Sequence, residues 1–174
     1  MRIGVCGYDP QTRTLRLCDG KGKRSEPHEH RLPLGPEAAK LVKTLIDRAR
    51  HLANSQAQAL GQPVEPNPSL FLSNGTVRVF PTTPGKRIAE ISAIMQGETF
   101  NLRDIRRTAE TMLASLNVSR DVRAQLLCHG LNAVQHQHYD RYSYIKEKQD
   151  ALMTWEAHLH RLEAAATAES DNPP

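Results

Sequence analysis

Aromatic residues are scarce in this chain: phenylalanine, tyrosine and tryptophan together make up 5% of it, and Trp155 is the single tryptophan. That scarcity argues against a platform for unpaired bases, because such platforms are built from aromatic rings. Cysteine is sparse as well. Cys6, Cys18 and Cys128 are odd in number, far apart and without a CxxC pair, the pattern of free thiols in a reducing cytoplasm rather than of a disulfide framework. No apolar run approaches the length of a membrane span. The opening Met1-Arg-Ile-Gly-Val-Cys-Gly carries one basic residue and then turns polar, unlike a secretory signal. Gly20-Lys-Gly-Lys is too short for a nucleotide-binding phosphate loop.

What is present fits one domain. The 174 residues, 39% of them hydrophobic, suffice to bury a core without disulfides or a structural metal. Lys and Arg number 23 against 19 Asp and Glu, a net charge of +4, with an isoelectric point near 9.1. A surplus of this size permits nucleic-acid binding without demanding it, and with so few aromatics the expected contacts are to phosphates.

The opening third reads as β-rich. Thr12 to Cys18 alternates polar and apolar residues, as a half-buried strand does. Asp19-Gly-Lys21-Gly-Lys23 is a glycine-punctuated turn, and His30 to Leu34 is a candidate return strand in which Pro33 implies an edge or an end. From Pro36 to about Ala59 apolar residues recur at helical spacing. A proline-rich connection, Gly61 to Pro68, leads to a short strand at Ser69 to Leu72. Thr82-Thr-Pro-Gly then resembles a helix start with a threonine cap, and that helix is expected to reach Met95 with Gly97 as its stop. Further helices are expected over about 101–115, 120–128 and 145–166, with Asn117 closing the first and Ser119 capping the second. Ala164 to Pro174 is small and polar and reads as a frayed tail, so the expected organisation is one domain over 1–166 and a disordered tail over 167–174.

The stretch from Arg103 to Tyr139 carries the chemistry. Arg103, Arg106 and Arg107 fall at i, i+3 and i+4 of a helix, sharing a face that repels itself unless an anion sits there. A helix N-terminus adds to that preference. His129 precedes Gly130 at the end of the next helix, and Tyr139 follows. Taken singly, each has a plainer reading: a solvated basic face partnered by Asp104 and Glu110, a histidine at a helix C-terminus, and a tyrosine of the core or rim.

In combination they resemble the catalytic domain of the tyrosine recombinases, the phage integrase family. Arg103-Asp-Ile-Arg106-Arg107-Thr108 is similar to the family's second box, Leu126-Leu-Cys128-His129 to its third, and His138-Tyr139-Asp140-Arg141 to the segment bearing the nucleophile. His129 follows Arg106 by 23 positions, as the family pattern expects. Upstream, Asp19-Gly-Lys21-Gly-Lys23-Arg24 resembles the hairpin that carries the family's lysine. The resemblance covers nearly the whole chain. It implies an α+β, mainly helical fold, with a small N-terminal antiparallel β-sheet packed on a helical body. It also implies site-specific recombination or integration of double-stranded DNA, without metal or cofactor. Tyr139 would attack a phosphodiester, leaving a 3′-phosphotyrosine and a free 5′-hydroxyl. Arg106, His129 and Arg103 would hold the phosphoryl oxygens, Lys21 would protonate the leaving oxygen, and Arg107 and Lys23 would bind neighbouring phosphates. Other protomers on DNA, docked through the C-terminal helix, and a bacterial or phage-encoded, cytoplasmic setting with no membrane partner are also implied.

The chain departs from the pattern at three points. The family's first arginine box would fall before Met1, so this reads as a domain incomplete at its N-terminus, with the fold but little recombinase activity. Arg103 stands where the family usually has histidine. Tyr139 follows His129 by 10 positions, one more than the commonest spacing, which leaves Tyr142 as the fallback nucleophile and Tyr144 behind it. The rival readings are a non-catalytic DNA-binding module, in which helices 101–115 and 120–128 form a helix-turn-helix, and a degenerate remnant serving protein contacts. His28-x-His30, with Glu26 and Glu29 nearby, lacks a third ligand at metal spacing and reads as a polar hairpin edge. Leu152, Trp155, Leu159 and Leu162 form a stripe whose default is core packing.

Overall fold

The computed structural model describes residues 3–19, 28–73, 77–80, 82–95, 97–128 and 142–170. After a 3-10 turn at Val5–Gly7, strands β1 (Tyr8–Asp9), β2 (Thr14–Asp19) and β3 (His28–Pro33) form an antiparallel sheet in the order β1-β2-β3. Alternation decides its faces. Leu15 pairs with Leu32 and Leu17 with His30 on the inner face, whereas Arg16 pairs with Arg31 on the outer one. β3 is an edge strand, which is where a strand can end on Pro33 without losing a ladder bond. His30 overturns its sequence reading. Period-two geometry turns it inward opposite Leu17, and it is buried rather than part of a polar edge.

Helix α1 (Pro36–Leu60) starts with proline in its first turn and stops at Gly61, whose φ of 60° is the left-handed conformation glycine favours. Its inner stripe, Ala39, Val42, Ile46 and Ala49, packs with Val5, Tyr8, Leu15, Leu34 and Leu70 into one cluster. The sheet is thus held against α1 by apolar burial, the main favourable term in folding. The proline-rich connection closes this layer by running beside the N-terminus. Leu70 donates its amide to Ile3 (2.8 Å) and Val5 donates its own to Pro68 (3.1 Å). The strand expected at Ser69 to Leu72 is smaller than that: Ser69 forms an isolated bridge with Gly4, and β4 (Leu72–Ser73) pairs with β5 (Val77–Arg78).

The rest is helical: α2 (Thr83–Ile94), α3 (Leu102–Ser115), α4 (Arg120–Leu127) and α5 (Ile145–Ser170). Thr82 does not cap α2 with its side chain. Its backbone is already helical (φ −82°, ψ −18°), whereas a capping side chain needs an extended backbone to reach back to the first amides. Asn117 closes α3 in the left-handed conformation (φ 61°), and the Ser119 hydroxyl accepts from the Val122 amide at 3.4 Å. α5 continues to Ser170, so 167–170 is helix and not tail. Ala164 to Ala166 are the strongest helix formers, and Thr167 returns its hydroxyl to the Glu163 carbonyl (2.9 Å).

α5 packs on β3 and on α4 and so joins the sheet to the helical body. Its Glu156 carboxylate accepts the Glu37 amide (2.7 Å) in the first turn of α1, at the positive end of that helix. This approach needs Gly35: a Cβ there would stand 2.3 Å from Glu156 Oε2. The fold is α+β and mainly helical, with a small antiparallel sheet at the front. Among the described residues no helix is long and apolar enough to cross a membrane.

Candidate functional site

Lys21, Lys23, His129 and Tyr139 lie outside the described residues, so the structure speaks to Arg103, Arg106 and Arg107. All three are on the first two turns of α3, and all are exposed. The start of that helix is fixed locally by a capping box. Asn101 Oδ1 accepts from the amides of Arg103 (2.8 Å) and Asp104 (3.4 Å), and the Asn101 amide donates to Asp104 Oδ2 (3.0 Å). Reciprocal capping of this kind satisfies the first free amides of the helix. The help expected from the α3 N-terminus in holding an anion is therefore already taken up by Asn101 and Asp104. Ser92, the buried residue of α2, accepts the Phe100 amide on its hydroxyl (2.7 Å) and anchors the approach to this cap.

Two of the three guanidinium groups have separate partners. Arg107 turns back to Asp104, with Nη1 at 3.6 Å from Oδ1, an exposed pair of the kind that contributes little. Arg106 instead crosses to the neighbouring helix and donates through Nη2 to the carbonyl of Leu127. That carbonyl is one of the orphan acceptors at the end of α4, where the helix dipole favours a cation. α4 ends there because Cys128 is left-handed (φ 53°) and returns its amide to the Ala124 carbonyl. One more residue of chain leads to His129. Arg106 of α3 and the C-terminal end of α4 therefore meet.

Tyr142, which the sequence reading offers as an alternative nucleophile, has partners on α5 and on the segment before it. Its hydroxyl donates to Glu147 Oε1 (2.6 Å), and its ring packs edge-on against Tyr144 with centroids 4.9 Å apart. The hydrogen bond to Glu147, with some burial, raises its pKa above the usual value for tyrosine. A phenol so held keeps its proton to higher pH than a free one.

Lys148 was not singled out in the sequence, yet it lies where β3, α4 and α5 meet. It is 3% exposed, and its Nζ donates to the Arg31 carbonyl (3.4 Å) on the edge strand. The signal was its position: Ile145, Lys148, Ala151, Leu152 and Trp155 follow helical spacing, so one lysine stands inside an apolar stripe. Burial holds its amine below the usual 10.5, opposed by the Cys128 thiol nearby. The unfolded chain then keeps this proton to higher pH than the folded one. Stability should rise as pH climbs from the folded-state value towards 10.5, and should lack that contribution below the window. Lys148→Met should flatten this rise in denaturation midpoints measured across alkaline pH.

No protein-family model matches the chain, and no curated protein or solved structure matches it either.

Proposed function

We propose that this chain is the catalytic domain of a tyrosine recombinase, which cleaves and rejoins duplex DNA at specific sites through a 3′-phosphotyrosine. The observation that carries the reading is the bond from Arg106 to the Leu127 carbonyl, which draws the α3 arginine to the helix end leading into His129. A second observation supports it. The third box of the pattern has glycine where this chain has Cys128, and Cys128 adopts the left-handed backbone that glycine supplies without strain.

In this reading the Tyr139 phenol gives its proton to solvent as its oxygen attacks phosphorus, the bond to the 5′-oxygen breaks, and Lys21 gives that oxygen its proton. Arg106 and His129 donate to the non-bridging oxygens, where charge is held through the transition state. The phosphotyrosine keeps the energy of the broken bond, so a 5′-hydroxyl from a second strand reverses the step. The proposed partners are duplex DNA and further protomers bound beside this one. α5 is the proposed contact between protomers, since Leu159 and Leu162 of its stripe are exposed.

The test uses nicked duplexes of randomised sequence, in which the cleaved end diffuses away and traps the adduct. The expected result is a slow, detergent-resistant protein–DNA adduct that Tyr139→Phe abolishes while DNA affinity is retained. Equal DNA affinity with no adduct from either protein would favour a helix-turn-helix binding module instead.

A further inference from the structure

The turn between α3 and α4 is fixed on both of its sides. Asn117 is left-handed (φ 61°), and the Val118 amide donates to the Leu113 carbonyl of α3 (3.0 Å). From the other side, Arg123 of α4 donates through Nη1 to the Val118 carbonyl. With its start held, α4 runs for eight residues, from Arg120 to Leu127. A helix rises by about 1.5 Å per residue, so the point at which α4 stops decides which part of α3 lies beside its last carbonyls. It stops beside Arg106.

One residue makes that stop. The Cys128 amide still closes a helical bond to the Ala124 carbonyl, but its φ of 53° turns the chain off the helix axis. Residues with a Cβ adopt this conformation at a cost that glycine does not meet. Had Cys128 stayed helical, an amide four residues further on would take the Leu127 carbonyl. The left-handed turn leaves that carbonyl as an acceptor, and Arg106 Nη2 donates to it. A guanidinium has five N–H donors and this bond uses one, so a held Arg106 can still offer a fork to phosphate oxygens.

We propose that Cys128 is a positioning residue: its left-handed backbone opens the Leu127 carbonyl, and that carbonyl holds Arg106 in place for the phosphate. Cys128 acts through its backbone and touches no reacting atom, so the thiol is not required. Holding a long side chain before the substrate arrives spares the ordering cost during reaction. This role rests on the recombinase reading, in which Arg106 meets the phosphate. The hold itself, of Arg106 by way of Cys128, does not.

Single-turnover adduct formation on the nicked duplexes tests it, with the whole chain held below its unfolding transition. Cys128→Gly, Cys128→Asn and Cys128→Ala tolerate left-handed backbone at least as well as cysteine and should keep the rate of the unaltered chain. Cys128→Val is β-branched and resists that backbone, so its rate should fall by about 10²–10³, as for loss of the Arg106 donor itself. Cys128→Thr has the same branching on a polar side chain and replaces the valine variant if that one does not fold. Adding Arg106→Ala to Cys128→Val should slow the adduct no further, because both changes remove one interaction. A residue that only supports the fold would shift denaturation midpoints and leave these rates alone. Undiminished rates in both branched variants, or losses that add in the double variant, would overturn the proposal. If the unaltered chain forms no adduct, the recombinase reading falls and chemical denaturation of the same variants decides the hold. Stability losses of Cys128→Val and Arg106→Ala that are less than additive keep it, and additive losses overturn it.

Discussion

Replacing Arg106 with alanine should slow formation of the covalent DNA adduct by about 10²–10³, the usual cost of losing one donor to a phosphoryl or acyl oxyanion. The same change should cost less than about 1 kcal/mol in stability, because Arg106 is exposed and its bond to the Leu127 carbonyl is screened by water. The two effects separate a group that touches the reacting phosphate from one that only clasps α3 to α4. Arg106→Lys sharpens the distinction. An ammonium can still neutralise the end of α4, but it cannot offer the planar fork, so stability should recover while the adduct rate stays low. Single-turnover adduct formation and chemical denaturation, run on the same three proteins, read the two quantities independently. Equal adduct rates for all three would remove Arg106 from the chemistry.

Truncating Leu113 to alanine should lower stability by about 2–5 kcal/mol, the range for emptying a buried leucine site. Leu113 is the buried residue of α3 and is 4% exposed. The rest of that helix presents intermediate or exposed side chains, so little else can hold it if the site collapses poorly. Ile46→Ala, in the cluster between α1 and the sheet, should cost a similar amount. The difference lies in DNA affinity measured below the unfolding transition. Leu113→Ala should weaken it by shifting the helix that bears Arg103, Arg106 and Arg107, whereas Ile46→Ala should leave it unchanged.

What could be read from the sequence was whatever one element decides for itself. α1 begins at Pro36 and ends before Gly61 because proline suits a first turn and glycine a left-handed stop, and both signals are local. Asn117 and Ser119 marked the turn between α3 and α4 for the same reason. The polar–apolar alternation from Thr12 placed Leu15 inward and Arg16 outward. Tertiary contacts could not be read in this way. Nothing near Glu156 announces that its carboxylate meets an amide at the start of α1, more than a hundred residues away. His30 looked polar beside His28 and Glu29, yet the pleat turned it inward. Thr82 had the chemistry of a cap but not the backbone. Of the candidate site, the arginine trio was visible as residues, and its division was not. Whether Arg106 reaches across to α4 while Arg107 folds back on Asp104 depends on where α4 ends.

The central claim concerns one oxygen atom. Nicked duplexes of randomised sequence, incubated with the unaltered chain and digested to peptides, allow the linked residue to be identified by mass spectrometry. The expected result is a nucleotide joined through phosphate to Tyr139 and to no other tyrosine. Tyr142, whose hydroxyl donates to Glu147, should carry none. Attachment at Tyr142, Tyr144 or a residue other than tyrosine, or no attachment after prolonged incubation with duplexes the protein binds, would contradict it.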